Sequence, residues 1–258
     1  MTTYLDGIVA HHRARASRDG RALSELIEWA GLVGECRGFS RAIRTSGTLA
    51  VIAEIKRRSP SKGDLNIDLD ASDLARTYER AGATCLSVLT DEPHFGGSVA
   101  DLRAARDAVS LPVIRKDFTV DPRDVCDARL MGADCVLLIA AVLDDSELRA
   151  CMSVARDVAI DALVEVHDET ELARALAAGA DMIGVNQRDL VSFAVDHERA
   201  VRMGGAIPEG VVKVAESGVR GRADAQSLRD AGYDAVLVGE HLVTSRDVTA
   251  ALRDLLVD

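Results

Sequence analysis

Glu54 and Lys56 stand two residues apart inside VIAEIKRRSPSKG, a run whose first half has the small and branched apolar residues of a buried strand. A lone charge in such a run is expensive to desolvate. A carboxylate beside an ammonium group, however, can hold and pass a proton. The combination recurs: Lys116 ends PVIRK, Glu165 ends DALVE, Asn186 and Arg188 follow MIGV, and Glu216 ends VVKVAE. Any one of these could be a strand-end residue satisfied by solvent or a neighbour. Acids and bases at the same end of five apolar runs point instead to one site of proton transfer.

A second chemistry is anion binding. ESGV (216–219) and VGEH (238–241) each follow a strand-like run near the end of the chain, and a glycine there lets backbone N–H groups approach a phosphate. SPSKG (59–63) lacks the spacing and the Gly-Lys-Ser/Thr ending of a nucleotide-binding loop, so nucleotide hydrolysis is not expected. The six histidines are dispersed without HExxH or paired ligand spacing, and no metal is expected. Of these, His11 and His12 read as solvated, and His94 and His241 as candidates for the site's rim. Cys36, Cys85, Cys126, Cys135 and Cys151 form an odd, scattered set without CxxC, and read as core or helix residues rather than a disulfide framework. Asp117 and Asp181 flank strands and read as local caps or pairs.

The elements that must position these groups are legible as a repeat. AGATCLSVL from Ala81, MGADCVLLI from Met131, AGADMIGVN from Ala178 and AGYDAVLVG from Ala231 each combine a helix end, a glycine and a short apolar strand, roughly fifty residues apart. Between them lie PVIRK from Pro112, DALVEV from Asp161 and VVKVAES from Val211; with LAVIAEI from Leu49 these make eight strands. Intervening segments carry helical spacing, as at Leu102, Ala105 and Val109. The expected fold is α/β, a single (β/α)8 TIM barrel with an N-terminal helical extension. An open doubly wound sheet is the alternative, because alternation alone does not demonstrate closure.

Strand side chains alternate faces, so Ile52, Glu54 and Lys56 share one face and Val51, Ala53 and Ile55 the other. With the apolar set outward against helices, the charges turn to the barrel axis at the C-terminal mouth. One domain is expected over 1–258: an extension at 1–48, with Leu5, Ile8, Val9 and Leu23, Leu26, Ile27 at helical spacing, and a barrel at 49–258. A formal charge of −11 opposes general binding to nucleic acid. No apolar run is long enough to cross a membrane, and the N-terminus lacks the pattern of a secretory signal. A cytoplasmic location is therefore expected, and a monomer, since no unexplained apolar stripe stands out.

IAEIKRRSPSKG, LTDEPHFGGS, RKDF, VLLI, VEVH, GVNQRDL, VAESGV and LVGEHL, in this order, resemble the indole-3-glycerol phosphate synthase family, barrel enzymes of tryptophan biosynthesis. The KRxSPSKG and KDF segments are specific; the ESG and VGE segments occur in several phosphate-binding barrels. The resemblance implies closure of the indole ring of 1-(2-carboxyphenylamino)-1-deoxyribulose 5-phosphate with loss of carbon dioxide and water, and no cofactor. Lys116 then matches the general acid that protonates the ketose carbonyl. Lys56 matches a lysine that meets the substrate carboxylate, and Glu165 the carboxylate assisting proton removal and dehydration. Glu54 and Glu216 match orienting carboxylates. Asn186 and Arg188 match residues near the anthranilate carboxylate, and Phe95, Phe118, Leu137 and Leu237 the apolar walls. Ser59, Ser217, Gly218, Gly239 and Glu240 match the phosphate site, the last through its backbone N–H, with Lys62 a solvated loop residue. Arg58, Gln187 and His241 depart from or vary within the family pattern. The implied partner is a phosphorylated small molecule, with association with other enzymes of the pathway left open. A phosphoribosylanthranilate isomerase-like barrel is the alternative enzyme, although that family uses a cysteine near the end of its first strand where this chain has Glu54 and Lys56. A non-catalytic phosphosugar-binding barrel is the alternative outside enzymes.

Overall fold

The computed structural model describes residues 4–189 and 191–258, so Leu190 at the end of GVNQRDL lies outside it. Its strands are β1 (Ala50–Ile55), β2 (Arg58–Ser59), β3 (Gly63–Asp64), β4 (Cys85–Leu89), β5 (Val113–Lys116), β6 (Cys135–Ile139), β7 (Asp161–Val166), β8 (Met182–Asn186), β9 (Val212–Glu216) and β10 (Ala235–Val238). All but β2 and β3 form one parallel sheet in which β1 pairs with both β4 and β10. That double pairing closes the barrel and excludes the open sheet.

Alternation divides the apolar residues into two layers. Val51, Ala53 and Ile55 of β1 join Leu86, Val88, Val136, Leu138, Val164 and Ile183 in the layer facing the helices. Ala50 and Ile52 join Ile114, Leu137, Leu163, Met182, Val214 and Leu237 inside the barrel. The inward series of β1, β5, β7, β8 and β9 therefore runs on to Glu54, Lys116, Glu165, Asn186 and Glu216 at the C-terminal ends.

The repeated glycines end the helices that return the chain. The helix at Ala71–Ala81 starts on Asp70, whose side chain accepts from the Asp73 N–H, and ends on Gly82 at φ 105°. Gly132, at φ 98°, ends the helix at Pro122–Met131 in the same way. Both sit in the left-handed region, where a Cβ is costly.

Three helices precede β1: α1 (Tyr4–Ala16), α2 (Leu23–Gly31) and α3 (Phe39–Arg44). Phe39 and Ile43 of α3 pack with Ala50, Cys85 and Cys135 at the strand starts and plug the barrel's N-terminal end. In α2, Leu26 and Ala30 join the outer layer, against the helix at Pro122–Met131. Helix α1 lies at the opposite end, its His12 ring 5.5 Å from that of Phe118, beyond β5.

Two local features depart from the expectations. Residues 58–64 fold into an antiparallel hairpin, β2 with β3, too short for any periodicity to announce. His12 is buried, at 4% exposure, rather than solvated. The apolar spacing of α1 does not reveal which of its polar residues face the loops after β4 and β5.

Candidate active site

At the C-terminal ends of the strands lies a cavity of about 730 Å³. Its lining includes Glu54, Lys56, Lys116, Glu165, Asn186, Arg188 and Glu216, the apolar residues Phe95, Phe118, Leu137 and Leu237, and Ser59, Ser217, Gly218, Gly239 and Glu240. The residues matched to catalysis, substrate binding and phosphate binding thus all line one cavity, whereas of the two rim histidines only His241 does.

Lys116 is the hub. Its Nζ donates to Glu165 Oε2 at 3.1 Å and stands 3.4 Å from Glu216 Oε2. Asn186 Nδ2 donates to the other Glu165 oxygen at 2.9 Å. On β1, Lys56 Nζ donates to Glu54 Oε1 at 2.5 Å, and Ser87 Oγ donates to Glu54 Oε2 at 3.3 Å. Two glycines make room for these carboxylates. A Cβ on Gly184 would collide with Glu216 Oε1, and one on Gly239 with Glu54 Oε1.

Glu54, Glu165 and Glu216 are all buried, so their charges are not independent. Burial opposes the Lys116 ammonium, but the charges of Glu165, Glu216 and Glu54 outweigh it and hold its pKa raised. Burial also pushes the Glu165 carboxyl up. There the opposing pull of Lys116, His167 and the Asn186 hydrogen bond prevails, leaving Glu165 well below the usual carboxylate range. For Glu216 burial wins: Lys116 opposes it, but the Glu165 charge reinforces it, and the carboxyl titrates well above that range. The two carboxyls are driven in opposite directions, Glu165 towards its ionised form and Glu216 towards its protonated one, with the lysine between them. Pairs driven apart in this way serve as acid and base. Glu216 Oε1, moreover, is buried without a hydrogen-bond partner among the described residues.

The turn after β9 carries the ESGV segment from which anion binding is expected. Ser217 and Gly218 take φ 65° and 76° in succession, both left-handed, which strains a serine. A Cβ on Gly218 would press on Val195 Cγ1 at 2.6 Å and on the His197 ring at 3.2 Å, so the turn is overlaid closely. Gln187, buried at 2% exposure, donates from Nε2 to the Ser217 carbonyl at 2.8 Å and holds the turn from behind. The Glu240 carboxylate is engaged by Lys62 at 3.5 Å and Arg188 at 3.4 Å. Lys62, expected to be solvated, is exposed at the cavity's edge, its side chain 55% accessible.

Several residues fall differently from the expectations or were not singled out. Arg58 belongs to β2 and pairs with Asp64 at 3.3 Å, away from the central cluster. His241 lines the cavity; His94 does not, and turns to Asp91 instead. Asp117 pairs with Arg115 at 2.7 Å, the local role expected of it. Not singled out were Gly184, His197 and His167, whose Nε2 lies 3.6 Å from Glu165 Oε1 and whose Nδ1 lies 3.1 Å from Glu171. VEVH carried His167 in plain view, but a histidine one place past a strand-end acid has no distinguishing spacing.

The family model described as indole-3-glycerol phosphate synthase matches residues 5–255. Indole-3-glycerol phosphate synthase 2 of Streptomyces coelicolor is 48% identical over 259 residues, covering 99% of this chain and 100% of the relative. Indole-3-glycerol phosphate synthase of Mycolicibacterium vanbaalenii is 47% identical, covering 98% of this chain and 94% of the relative. Among solved structures, a 3-hexulose-6-phosphate synthase superposes with a TM-score of 0.65 at 17% identity, covering 80% of this chain and 98% of that one, a likeness of fold.

Proposed function

The chain belongs to the indole-3-glycerol phosphate synthase family, and from that premise we propose how its mouth carries out the ring closure. The substrate is 1-(2-carboxyphenylamino)-1-deoxyribulose 5-phosphate. Its phosphate is held at the turns of Ser217, Gly218, Gly239 and Glu240 with Ser59, and its benzoate end by Lys56, Arg188 and Asn186. The walls of Phe95, Phe118, Leu137 and Leu237 exclude water from the ring. Holding both anionic ends bends the flexible ketose for closure and replaces an entropic cost with binding energy.

Lys116, charged among its carboxylates, donates a proton to the ketose oxygen as the aromatic carbon bearing the carboxylate attacks the carbonyl carbon. Carbon–carbon bond formation thus converts the carbonyl to a hydroxyl. Breaking the bond to the carboxylate releases carbon dioxide and returns its electron pair to the ring. Loss of the hydroxyl as water, with a protonated side chain assisting departure, and removal of the remaining proton complete the indole. Glu165, ionised and oriented by Asn186, takes that last proton. Glu216 retains its own proton and bonds the ribulose hydroxyls, and Glu54 orients Lys56.

The observation that carries this reading is Lys116 Nζ at 3.1 Å from Glu165 and 3.4 Å from Glu216 within one cavity. A binder of phosphosugars has no use for an ammonium held between two buried carboxylates. Incubation of purified protein with the carboxyphenylamino ketose phosphate, followed by indole fluorescence, is the test. Turnover is expected; substrate bound without fluorescence change would support the non-catalytic reading. The same reading takes the chain as one domain acting as a cytoplasmic monomer without a cofactor, and sedimentation at assay concentration checks the oligomeric state.

A further inference from the structure

Outside the mouth, α1 meets the loop after β4 around a single carboxylate. Asp91, 2% exposed, follows β4 and caps the short helix at Glu92–Phe95 by accepting from the His94 N–H through Oδ1. Its other oxygen, Oδ2, is approached by two imidazoles: His12 Nε2 of α1 at 2.8 Å and His94 Nδ1 at 3.0 Å. The three ligand atoms lie within 4.8 Å of one another. The exposed His11 ring stands 5.5 Å from the His12 ring and 5.8 Å from the His94 ring. A second carboxylate, Asp117, reaches to 3.8 Å from His12 Nε2. Neither His12, Asp91 nor His94 lines the catalytic cavity.

We propose that His12, Asp91 and His94 form a binding site for a divalent transition-metal ion of the Zn²⁺ or Co²⁺ kind, which staples α1 to the β4 loop. Two imidazole nitrogens and one carboxylate oxygen are the donor set such borderline ions take, with a fourth position left for water. Ligands about 2.0 Å from a tetrahedral ion are spaced about 3.3 Å apart. The 2.8 Å and 3.0 Å separations need only open by a few tenths of an ångström. Each neutral imidazole must present a bare nitrogen, so its proton must move to the other ring nitrogen. Without an ion His12 donates from Nε2 to Asp91; its Nδ1 has no hydrogen-bond partner among the described residues, so nothing there blocks the proton's transfer to Nδ1 when the ion takes Nε2. The ion has a way in: the His94 side chain is 20% exposed, against 5% for His12 and 0% for Asp91.

The test uses the full chain stripped with a chelator. Co²⁺ titration followed by visible d–d absorption, with Zn²⁺ titration by calorimetry, is expected to give one equivalent per chain, and Zn²⁺ is expected to raise the melting temperature. His94→Gln, at the partly exposed ligand, is expected to weaken binding by at least about tenfold and to abolish the melting shift. His12→Gln should do the same, with circular dichroism checking that each variant is folded. No saturable binding by the wild type would overturn the proposal. So would equal affinity in folded His94→Gln, since the ion would then be held elsewhere, the mouth carboxylates included.

Discussion

At the scale of the residue, the site depends on two glutamates of the same chemistry in opposite states. Glu165 sits low because Lys116, His167 and Asn186 overcome its burial, and Glu216 high because the Glu165 charge adds to its burial. Lys116→Ala is expected to lower kcat by about 10²–10⁴-fold, the range of a lost general acid, with substrate affinity largely kept. Fluorescence turnover and equilibrium titration separate the two; wild-type turnover would remove Lys116 from the acid role. Glu216 also carries a stability signature. Its folded pKa is raised, so its contribution is full below the ordinary carboxylate pKa and is lost as pH rises through the folded value. Glu216→Gln, which mimics the protonated form, should therefore melt above the wild type, with a gain that grows from mildly acidic to alkaline pH, while turnover falls. Thermal melts across pH check this, and a pH-independent difference would contradict the raised pKa.

At the scale of the element, the site is set by where strands stop and what the next residues leave out. Gly184 in β8 and Gly239 after β10 leave space that Glu216 and Glu54 occupy. Gly239→Ala forces a Cβ onto Glu54 and should cost about 1–3 kcal/mol by denaturant unfolding, while displacing the Lys56–Glu54 pair and lowering turnover. An unchanged unfolding midpoint with unchanged kcat would mean that the carboxylate moves aside freely. A glycine within a strand reads from sequence only as a weak point of pairing. That Gly184 and Gly239 are carboxylate-sized gaps depends on side chains from the neighbouring strand.

At the scale of the whole molecule, the two ends of the barrel are given different work. The N-terminal helices contribute to both: α3 plugs the strand starts with Phe39 and Ile43, and α1 lies by the mouth, where His12 meets Asp91 and Phe118. Phe39→Ala removes a fully buried ring from the end away from the cavity. It should cost about 3–5 kcal/mol of stability and leave KM near that of the wild type, measured by unfolding and by steady-state turnover. A large KM change in folded protein would show that the plug communicates with the mouth.

The sequence by itself determined the number and approximate places of the barrel strands, the face on which Glu54, Lys116, Glu165 and Glu216 lie, and the end at which they gather. These follow from local regularities: a period of two along each strand, and glycines that only a left-handed helix end requires. The tertiary structure alone decided what depends on partners distant in the chain. Closure needed the pairing of β1 with β10, and the opposite states of Glu165 and Glu216 needed the placement of Lys116 between them. His12 was legible as a polar residue on a helix. Its burial against Asp91 was not, because 79 positions separate the two and only the folded chain brings them within 2.8 Å.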